Sequence, residues 1–432
     1  MFQLFQRPTC PLLRDSSDAK YIKIITQYFG ASFIPMLLNL ASNPLIAMNM
    51  SPEDYAITGY YTSFSTLLAP LVAFYMLHYY TKRYFEVDGV ARDELRATIA
   101  KALIYFSGFM SLLCFIGLYV YVSFFNSDST IPFNPYAALT VFSLPITGLY
   151  TLMLVDLRMG RESGKYLNIS LACGIILLLL NLLLVVVLKW GAFGKLLAPF
   201  INSVVFFAYS LWYYRDQLQY KFDKKQFKEM LVFCFPLTIA AMLGFFSNGY
   251  DRVFLERLGN NTELGYYSVA ISIASYIGVF QTAIGNTFQP DLFQAIVQKN
   301  RKRLTQIICL LVGSTAIIVV AFIITAPLVV KILTAGRYMN SVGYTQIIAL
   351  STLTSAMYYT VSQITIALGK ATVTLITKIL TMFATIAMFS YLIPEFEYRG
   401  AAWGLVLSFI ISLVINIVLI WLSNKINIKR CH

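Results

Sequence analysis

Twelve long apolar segments constrain the fold of this chain more than any other feature. Each has 18 or more residues, enough to cross the hydrocarbon core of a bilayer as a helix. Only 12% of the 432 residues are charged and 58% are hydrophobic, and that charged fraction is roughly half of what soluble domains carry. We predict an all-α polytopic membrane protein with spans at residues 22–48, 54–80, 98–124, 136–157, 166–188, 195–214, 230–258, 264–289, 305–333, 342–368, 371–393 and 400–423.

The basic residues indicate how these spans are oriented. With both chain termini in the cytoplasm, 26 of the 33 Lys and Arg residues fall on the cytoplasmic side, and 7, with Lys195 among them, fall on the other side. Cytoplasmic loops of membrane proteins collect Lys and Arg in this way. The net charge of +13 is therefore explained without nucleic acid, which we do not expect as a partner.

The connections and the rare reactive residues exclude several classes of protein. The longest loops have about 15–20 residues, too few for a soluble catalytic domain, and no GxxxxGK[ST] phosphate-binding loop occurs. Six scattered cysteines and two histidines, His78 and His432, give no metal-binding spacing. We expect no cofactor and no enzymatic activity.

Short matching signatures indicate that the chain contains two copies of one design. Ser42-Asn43 matches Ser247-Asn248 at an offset of 205 residues, and Gly59-Tyr60-Tyr61 matches Gly265-Tyr266-Tyr267 at 206. Gly160-Arg161 and "GAFG" (191–194) match Gly369-Lys370 and "AAWG" (401–404) at 209 and 210. Six spans per copy place both copies in the same orientation, and transporters of this kind hold substrate between their halves.

The predicted domains follow from these two copies. They are a cytoplasmic N-terminal segment (1–20), an N-lobe of six helices (21–214), a cytoplasmic linker (215–229), a C-lobe of six helices (230–424) and a cytoplasmic tail (425–432).

Loose motifs near helix ends carry a family resemblance. They are "FPLTIAAMLGFFSNGYDRVFL" (235–255), "LGYYSVAISIA" (264–274), "AIGNTFQPDLF" (283–293), "APLVVKILTAGRYMNSV" (326–342) and "RGAAWGLVLS" (399–408). From about Tyr21 to Leu422 the chain resembles the Wzx-type oligosaccharide flippases of O-antigen, capsule and exopolysaccharide pathways. These belong with the MATE drug exporters to the multidrug/oligosaccharidyl-lipid/polysaccharide exporter superfamily.

The resemblance implies a fold, a substrate and a location. It implies a MATE-like arrangement of two six-helix lobes around a central cavity. It also implies that an oligosaccharide on undecaprenyl pyrophosphate is moved across the bacterial inner membrane. A polysaccharide polymerase and a chain-length regulator are candidate partners. The nearest rival is a cation-coupled MATE-type drug exporter, which needs a buried carboxylate that the first span lacks.

Polar residues in the spans are the candidate substrate contacts. Asn248, Arg252 and Glu256 are spaced to share one helix face, and the Asp-Arg motif of the similar proteins falls on Asp251 and Arg252. These charges either border the cavity and bind an anionic substrate or anchor a helix end in the headgroups. Lys378 has the same two alternatives. The predicted binding residues are Arg252, Arg257, Asp251, Asn248, Asn43, Asn39, Lys378, Gln281 and Asn286.

The roles of two further groups of residues each have two alternatives. Asp156, near the inner end of the fourth span, pairs either with Arg161 or with another helix. Tyr60, Tyr61, Tyr266 and Tyr267 either stack on sugar rings or form an aromatic belt at the outer interface.

Overall fold

The computed structural model describes residues 18–126, 129–298, 300–368 and 371–430, and helices account for almost all of this length. No β-strand occurs in these four ranges. The prediction of an all-α protein is therefore confirmed.

The first half of the chain follows the first six predicted spans. Its helices are α1 (Asp18–Asn49), α2 (Pro52–Ala73), α3 (Met76–Arg83), α4 (Val90–Phe125), α5 (Tyr136–Met159), α6 (Ser163–Asn181), which continues as a π-helical segment (Leu182–Val187), and α7 (Gly191–Tyr213). Ser51 caps α2 by accepting from the Asp54 N–H, and the Asp54 carboxylate accepts from Ser51 N–H in return. Asp54 also accepts from the Ala192 N–H at the start of α7, at 2.8 Å.

The second half follows the last six predicted spans with more interruptions. Its helices are α8 (Lys224–Met242), α9 (Phe245–Asn248), α10 (Tyr250–Glu256), α11 (Asn261–Val297), α12 (Arg301–Leu333), α13 (Val342–Ala367) and α14 (Ala371–Arg430). The last two predicted spans both lie in α14, which breaks at Glu397, where φ is 48°. Because α8 begins at Lys224, the predicted boundary between residues 229 and 230 falls inside a helix. The predicted tail from 425 is still helical to Arg430.

Fewer helices meet a hydropathy criterion for crossing a membrane than the twelve spans predicted from the sequence. Among the described residues, eight helices are long and apolar enough to cross a membrane, or nine if the bent pair α2–α3 is one span. Helices α11 and α13 coincide with predicted spans but fall outside this set. Helix α13 is rich in Ser and Thr, as expected of a helix that does not face lipid on all sides. A multi-pass membrane protein is established, and twelve spans stay a prediction.

Two adjacent spans, one from each half, are interrupted. Phe74 and Tyr75 adopt left-handed backbone conformations between α2 and α3, which meet at 49°. In the other half, α8, α9 and α10 are separated by short breaks, and Gly249 forms the second one. The prediction that Asn248, Arg252 and Glu256 share one continuous helix face is therefore wrong, because the helix ends at Asn248 and restarts at Tyr250.

The molecule has two ends that are useful to distinguish. The linker end carries the connection between the halves at residues 214–223, and the far end carries residues 49–54, 129–136, 256–262 and 334–342. Helices α1–α7 pack into one lobe and α8–α14 into the other, with α2 against α11 as the main contact between them. The core at the far end draws buried residues from both lobes, including Tyr60, Tyr61, Phe245 and Tyr267.

Candidate functional site

A polar cavity of about 270 Å³ lies between the two lobes. Helices α1, α2 and α7 form one wall, and α11 and α12 form the other. Its lining residues are Asn39, Asn43, Tyr55, Lys195, Val269, Ser272, Ile273, Ser275, Tyr276, Leu333 and Thr334. We call it the interlobe cavity.

Lys195 supplies the positive charge of the interlobe cavity. It lies one turn into α7, and within the described part of the chain it makes no ion pair with a carboxylate. The cavity lining contains no Asp or Glu. A lysine in an apolar surrounding is costly unless a counter-charge or water compensates it. The cavity is therefore suited to an anionic ligand.

Two predicted residues, Asn39 and Asn43, line the same cavity. Asn43 Nδ2 donates to the Tyr276 hydroxyl at 2.6 Å and so connects α1 to α11 across the lobes. Asn39 Nδ2 donates to the Pro35 carbonyl at 3.1 Å within its own helix. The amide oxygens of both asparagines can accept from hydroxyl groups of a ligand.

Gln281 lies in a second cavity, of about 220 Å³, inside the C-lobe. This cavity is bounded by α11, α12 and α13, and its polar lining includes Gln281, Thr282, Thr315, Thr360 and Gln363. Ser355 Oγ donates to Gln281 Oε1 at 3.2 Å. Asn286, the neighbouring prediction, has a side chain that lies outside the described residues.

Lys378 lies in a much smaller pocket of about 20 Å³. The pocket is formed where α8 breaks into α9 and by α13 and α14, and Asn248 is also part of its lining. Asn248 Nδ2 donates to the Gly244 carbonyl at 3.2 Å. Tyr359 lines both this pocket and the 220 Å³ cavity, so the two spaces adjoin.

Asp251 and Arg252 lie in the seam between the lobes at the far end. Arg252 is 6% exposed, and its guanidinium donates to the carbonyls of Gly59 and Asn248, each at 3.2 Å. Asp251 is 1% exposed and accepts from the Tyr267 hydroxyl at 2.7 Å. In this conformation Arg252 therefore binds the opposite lobe, and neither side chain lines the interlobe cavity.

Glu256 and Arg257 follow on the same short helix and point in different directions. The Glu256 carboxylate accepts from Asn126 Nδ2 at 2.7 Å and from Ser129 Oγ at 2.6 Å, both in the N-lobe. Arg257 is exposed and donates to the Tyr121 hydroxyl at 3.2 Å. Glu256 is thus an interlobe contact, whereas Arg257 keeps most of its donors at the surface.

The repeated Gly-Tyr-Tyr motifs form the same seam. A Cβ at Gly59 would lie 2.2 Å from Ser268 Oγ, and a Cβ at Gly265 would lie 2.0 Å from the Pro52 carbonyl oxygen. Both glycines are therefore needed for the close approach of α2 and α11. Tyr60, Tyr61 and Tyr267 are at most 1% exposed, so neither sugar stacking nor an exposed aromatic belt describes these three residues in this conformation.

Asp156 belongs to a separate buried cluster at the linker end of the N-lobe. Its Oδ1 accepts from Arg96 Nη2 at 2.9 Å and from Nε at 3.1 Å, and also from the Tyr80 hydroxyl. Of the two predicted alternatives for Asp156, pairing with another helix is the one found.

Sequence reasoning missed Lys195 as a site residue because it lies close to a predicted turn and was counted among the loop cations. The sequence "GAFGK" contained a signal. The helix α7 begins at Gly191, so Lys195 lies one turn inside the span. The partners of Arg252 and Glu256 carried no such signal, because both contacts cross from one lobe to the other.

The sequence matches a family model for a polysaccharide biosynthesis protein over residues 90–343. A capsular polysaccharide biosynthesis protein, CapF of Staphylococcus aureus, is 26% identical over 334 residues, which cover 72% of this chain and 80% of that protein.

Solved structures share the fold at low sequence identity. The lipid II flippase MurJ in an inward closed conformation has a TM-score of 0.68 and 15% identity, covering 92% of this chain and 87% of MurJ. An inward-facing MATE-family multidrug transporter has a TM-score of 0.64 and 17% identity, covering 94% and 99%. With a MATE-like fold and a model match over more than half of its length, this chain belongs to the polysaccharide biosynthesis protein family.

Proposed function

We propose that this protein is a flippase for a lipid-linked oligosaccharide and acts by alternating access. The substrate would be an O-antigen, capsule or exopolysaccharide repeat unit on undecaprenyl pyrophosphate. The family match and the CapF relative support a role in polysaccharide biosynthesis, and the two-lobed fold supports transport between lobes.

The charge of the cavities is the observation that carries the proposal. The linings of the interlobe cavity, the C-lobe cavity and the Lys378 pocket contain two lysines and no Asp or Glu among the described residues. A pyrophosphate-linked sugar is anionic and rich in hydroxyl groups. Lys195 would attract its phosphate, and the amides of Asn39, Asn43 and Gln281 would bind its hydroxyls.

The far-end seam would act as the closed gate of this cycle. Arg252, Glu256 and the two seam glycines hold the lobes together there. Opening the seam would free the Arg252 guanidinium and bring it, with Asp251 and Arg257, to the mouth of the cavity. Arg252 would then bind phosphate, for which its forked donors are suited. We assign it to the far-end-open state and Lys195 to the state described here.

The remaining assignments rest on sequence. The charge bias supports a bacterial inner-membrane location with both termini in the cytoplasm, so that the far end faces outward. The lobe boundaries at 214 and 230 and partnership with a polysaccharide polymerase and a chain-length regulator belong to the same proposal.

A cation-coupled drug exporter is the rival, and the buried carboxylates speak against it. Asp156 is bound to Arg96, and Glu256 to Asn126 and Ser129. Such an exporter needs a carboxylate facing its cavity, and the described cavity linings have none.

The test is deletion of the gene in its host, followed by lipid analysis and complementation with variants. We expect the lipid-linked repeat unit to accumulate on the cytoplasmic leaflet. Complementation with Lys195→Gln should lower surface glycan about tenfold, the loss expected for one charge-assisted contact. Lys331→Gln, an exposed far-end lysine, is the matched control and should complement fully.

Two outcomes would contradict the proposal. One is normal surface glycan in the deletion strain together with increased drug sensitivity, which would favour the exporter. The other is full complementation by Lys195→Gln at wild-type protein level, which would remove Lys195 from the site.

A further inference from the structure

The Lys378 pocket differs from the interlobe cavity and the C-lobe cavity in size. Its volume of about 20 Å³ is close to what one water molecule or one monatomic ion needs. The interlobe cavity is more than ten times larger. A sugar or a pyrophosphate fits the interlobe cavity and does not fit the Lys378 pocket.

No carboxylate in the described part of the chain pairs with Lys378. It takes part in no ion pair within the described residues. It is the one charged residue in the described lining of its pocket, which is formed by Leu243, Gly244, Ser247, Asn248, Tyr358, Tyr359, Lys378, Thr381, Phe409 and Ser412. Its ammonium group points towards the break after α8, since Nζ would lie 3.9 Å from a Cβ placed on Gly244.

Arg96 and Arg252 are compensated within the protein, whereas Lys195 of the interlobe cavity is, like Lys378, unpaired among the described residues. Arg96 binds the Asp156 carboxylate, and Arg252 donates to two backbone carbonyls. Burial of an ammonium group without a partner costs several kcal/mol. An anion beside Lys378 would remove that cost.

The polar groups around Lys378 are donors that an anion can use. Thr381 is 4% exposed, and its Oγ1 has no hydrogen-bond partner in the described structure. Ser247 brings a second hydroxyl from α9. A hydroxyl can donate to an anion as readily as it accepts from an ammonium group, so one small anion would satisfy Lys378 and Thr381 together.

We propose that this pocket binds a single monatomic anion, chloride under physiological conditions, between Lys378 and the hydroxyl of Thr381. The ion would connect α14 to the break between α8 and α9. It would enter through the adjoining 220 Å³ cavity, with Tyr359 at the boundary. The proposal is independent of the transported substrate.

Thermal unfolding of the purified full-length protein in detergent tests this site. The protein is prepared in sodium gluconate and titrated with sodium chloride, then with sodium bromide, at constant ionic strength. Both halides should raise the Tm by a few degrees in a saturable way, as a ligand of the folded state does. In a Lys195→Gln background, where the interlobe cavity has lost its lysine, sodium sulfate at equal ionic strength should give no rise, because sulfate exceeds the Lys378 pocket.

Variants assign the effect to the pocket. Lys378→Met should abolish the halide-dependent rise, and Thr381→Val should weaken halide affinity about tenfold through loss of one donor. Lys195→Gln, which removes the lysine of the interlobe cavity, should keep the rise. If Lys378→Met does not fold, Thr381→Val and the bromide anomalous signal in crystals serve in its place.

The proposal is overturned by any of three results. They are the lack of a saturable rise in wild-type protein, an equal rise with sulfate in the Lys195→Gln variant, and an unchanged halide response in both Lys378→Met and Thr381→Val. A pocket that holds only water gives the first result.

Discussion

Asp156 and Glu256 are both buried carboxylates near helix ends, yet their partners lie on different sides of the boundary between the lobes. Asp156 is 5% exposed and binds Arg96 within the N-lobe. Glu256 is 3% exposed and binds Asn126 and Ser129 in the opposite lobe. An ion pair inside one lobe can persist throughout a transport cycle. Contacts across the boundary must break whenever the lobes separate there.

The chemical nature of each partner matches its location, within one lobe or across the lobe boundary. Asp156 is paired with a cation, so breaking the contact would leave a buried carboxylate without its counter-charge. Glu256 has neutral donors, which water can replace when the seam opens. We infer that the chain pairs a buried carboxylate with a cation where the structure stays fixed and with uncharged donors where it opens.

The largest effect is expected for Asp156→Ala, which should lower the stability of the N-lobe without changing closure of the far end. Asp156→Ala should lower the free energy of unfolding by about 3 kcal/mol, because Arg96 loses its buried partner but keeps Asp93 at 2.9 Å. Denaturant unfolding in detergent measures this loss. Closure of the far end should not change, which cross-linking of a Thr130→Cys/Asn261→Cys pair in a cysteine-free background reports.

The control for this prediction is Asp93→Asn, which removes a partly exposed partner of the same arginine and should cost less than about 1 kcal/mol. The comparison fails if Asp156→Ala instead reduces cross-linking while stability is kept.

A somewhat smaller effect is expected at the glycine seam. Gly265→Ala places a methyl group 2.0 Å from the Pro52 carbonyl oxygen, so α11 and α2 cannot reach their present distance. Overpacking of this kind costs about 1–3 kcal/mol. Cross-linking of the same cysteine pair, whose native side chains are 3.1 Å apart, should fall about tenfold.

Gly278→Ala is the matched control on the same helix, since a Cβ there has no atom within 4 Å. Equal cross-linking in Gly265→Ala and Gly278→Ala would show that the seam does not depend on this close approach.

The smallest effect is expected at Glu256 itself. Glu256→Gln keeps the shape of the side chain and removes its charge, so its contacts to Asn126 and Ser129 should weaken by about 1 kcal/mol in total. Far-end cross-linking should fall about fivefold, and unfolding stability should stay within experimental error. Glu263→Gln, whose native carboxylate accepts from Tyr344 inside the C-lobe at 3.0 Å, should leave cross-linking unchanged. A larger loss of cross-linking in Glu263→Gln than in Glu256→Gln would refute the distinction between contacts within a lobe and contacts across the lobes.

Much of the fold could be predicted because bilayer thickness acts on each segment separately. Apolar length alone placed a predicted span on each long helix, and the repeated Gly-Tyr-Tyr motifs indicated two related lobes. The breaks near Tyr75 and Gly249 were not predicted, because each lies inside a segment that was assigned to one span, residues 54–80 and 230–258.

The candidate site was less predictable because its polar groups are distributed between two lobes. Asn43 was identified from its position in an apolar span, but its contact with Tyr276 joins residues 233 positions apart. Arg252 was identified as a conspicuous charge, yet its acceptor is the Gly59 carbonyl, which carries no sequence signature. Lys195 was predicted at the first residue of its span, whereas α7 begins one turn earlier, at Gly191.

The hydroxyl-rich character of α13 also affects how the protein is made. Its buried residues include Thr345, Thr352, Ser355, Thr360 and Thr365, and polar side chains reduce the tendency of an isolated helix to leave the translocon for lipid. Helix α13 packs between α12 and α14, which are both more apolar. We expect α13 to wait at the translocon until α14 has been synthesised, so that the C-lobe enters the membrane as a preassembled group of helices.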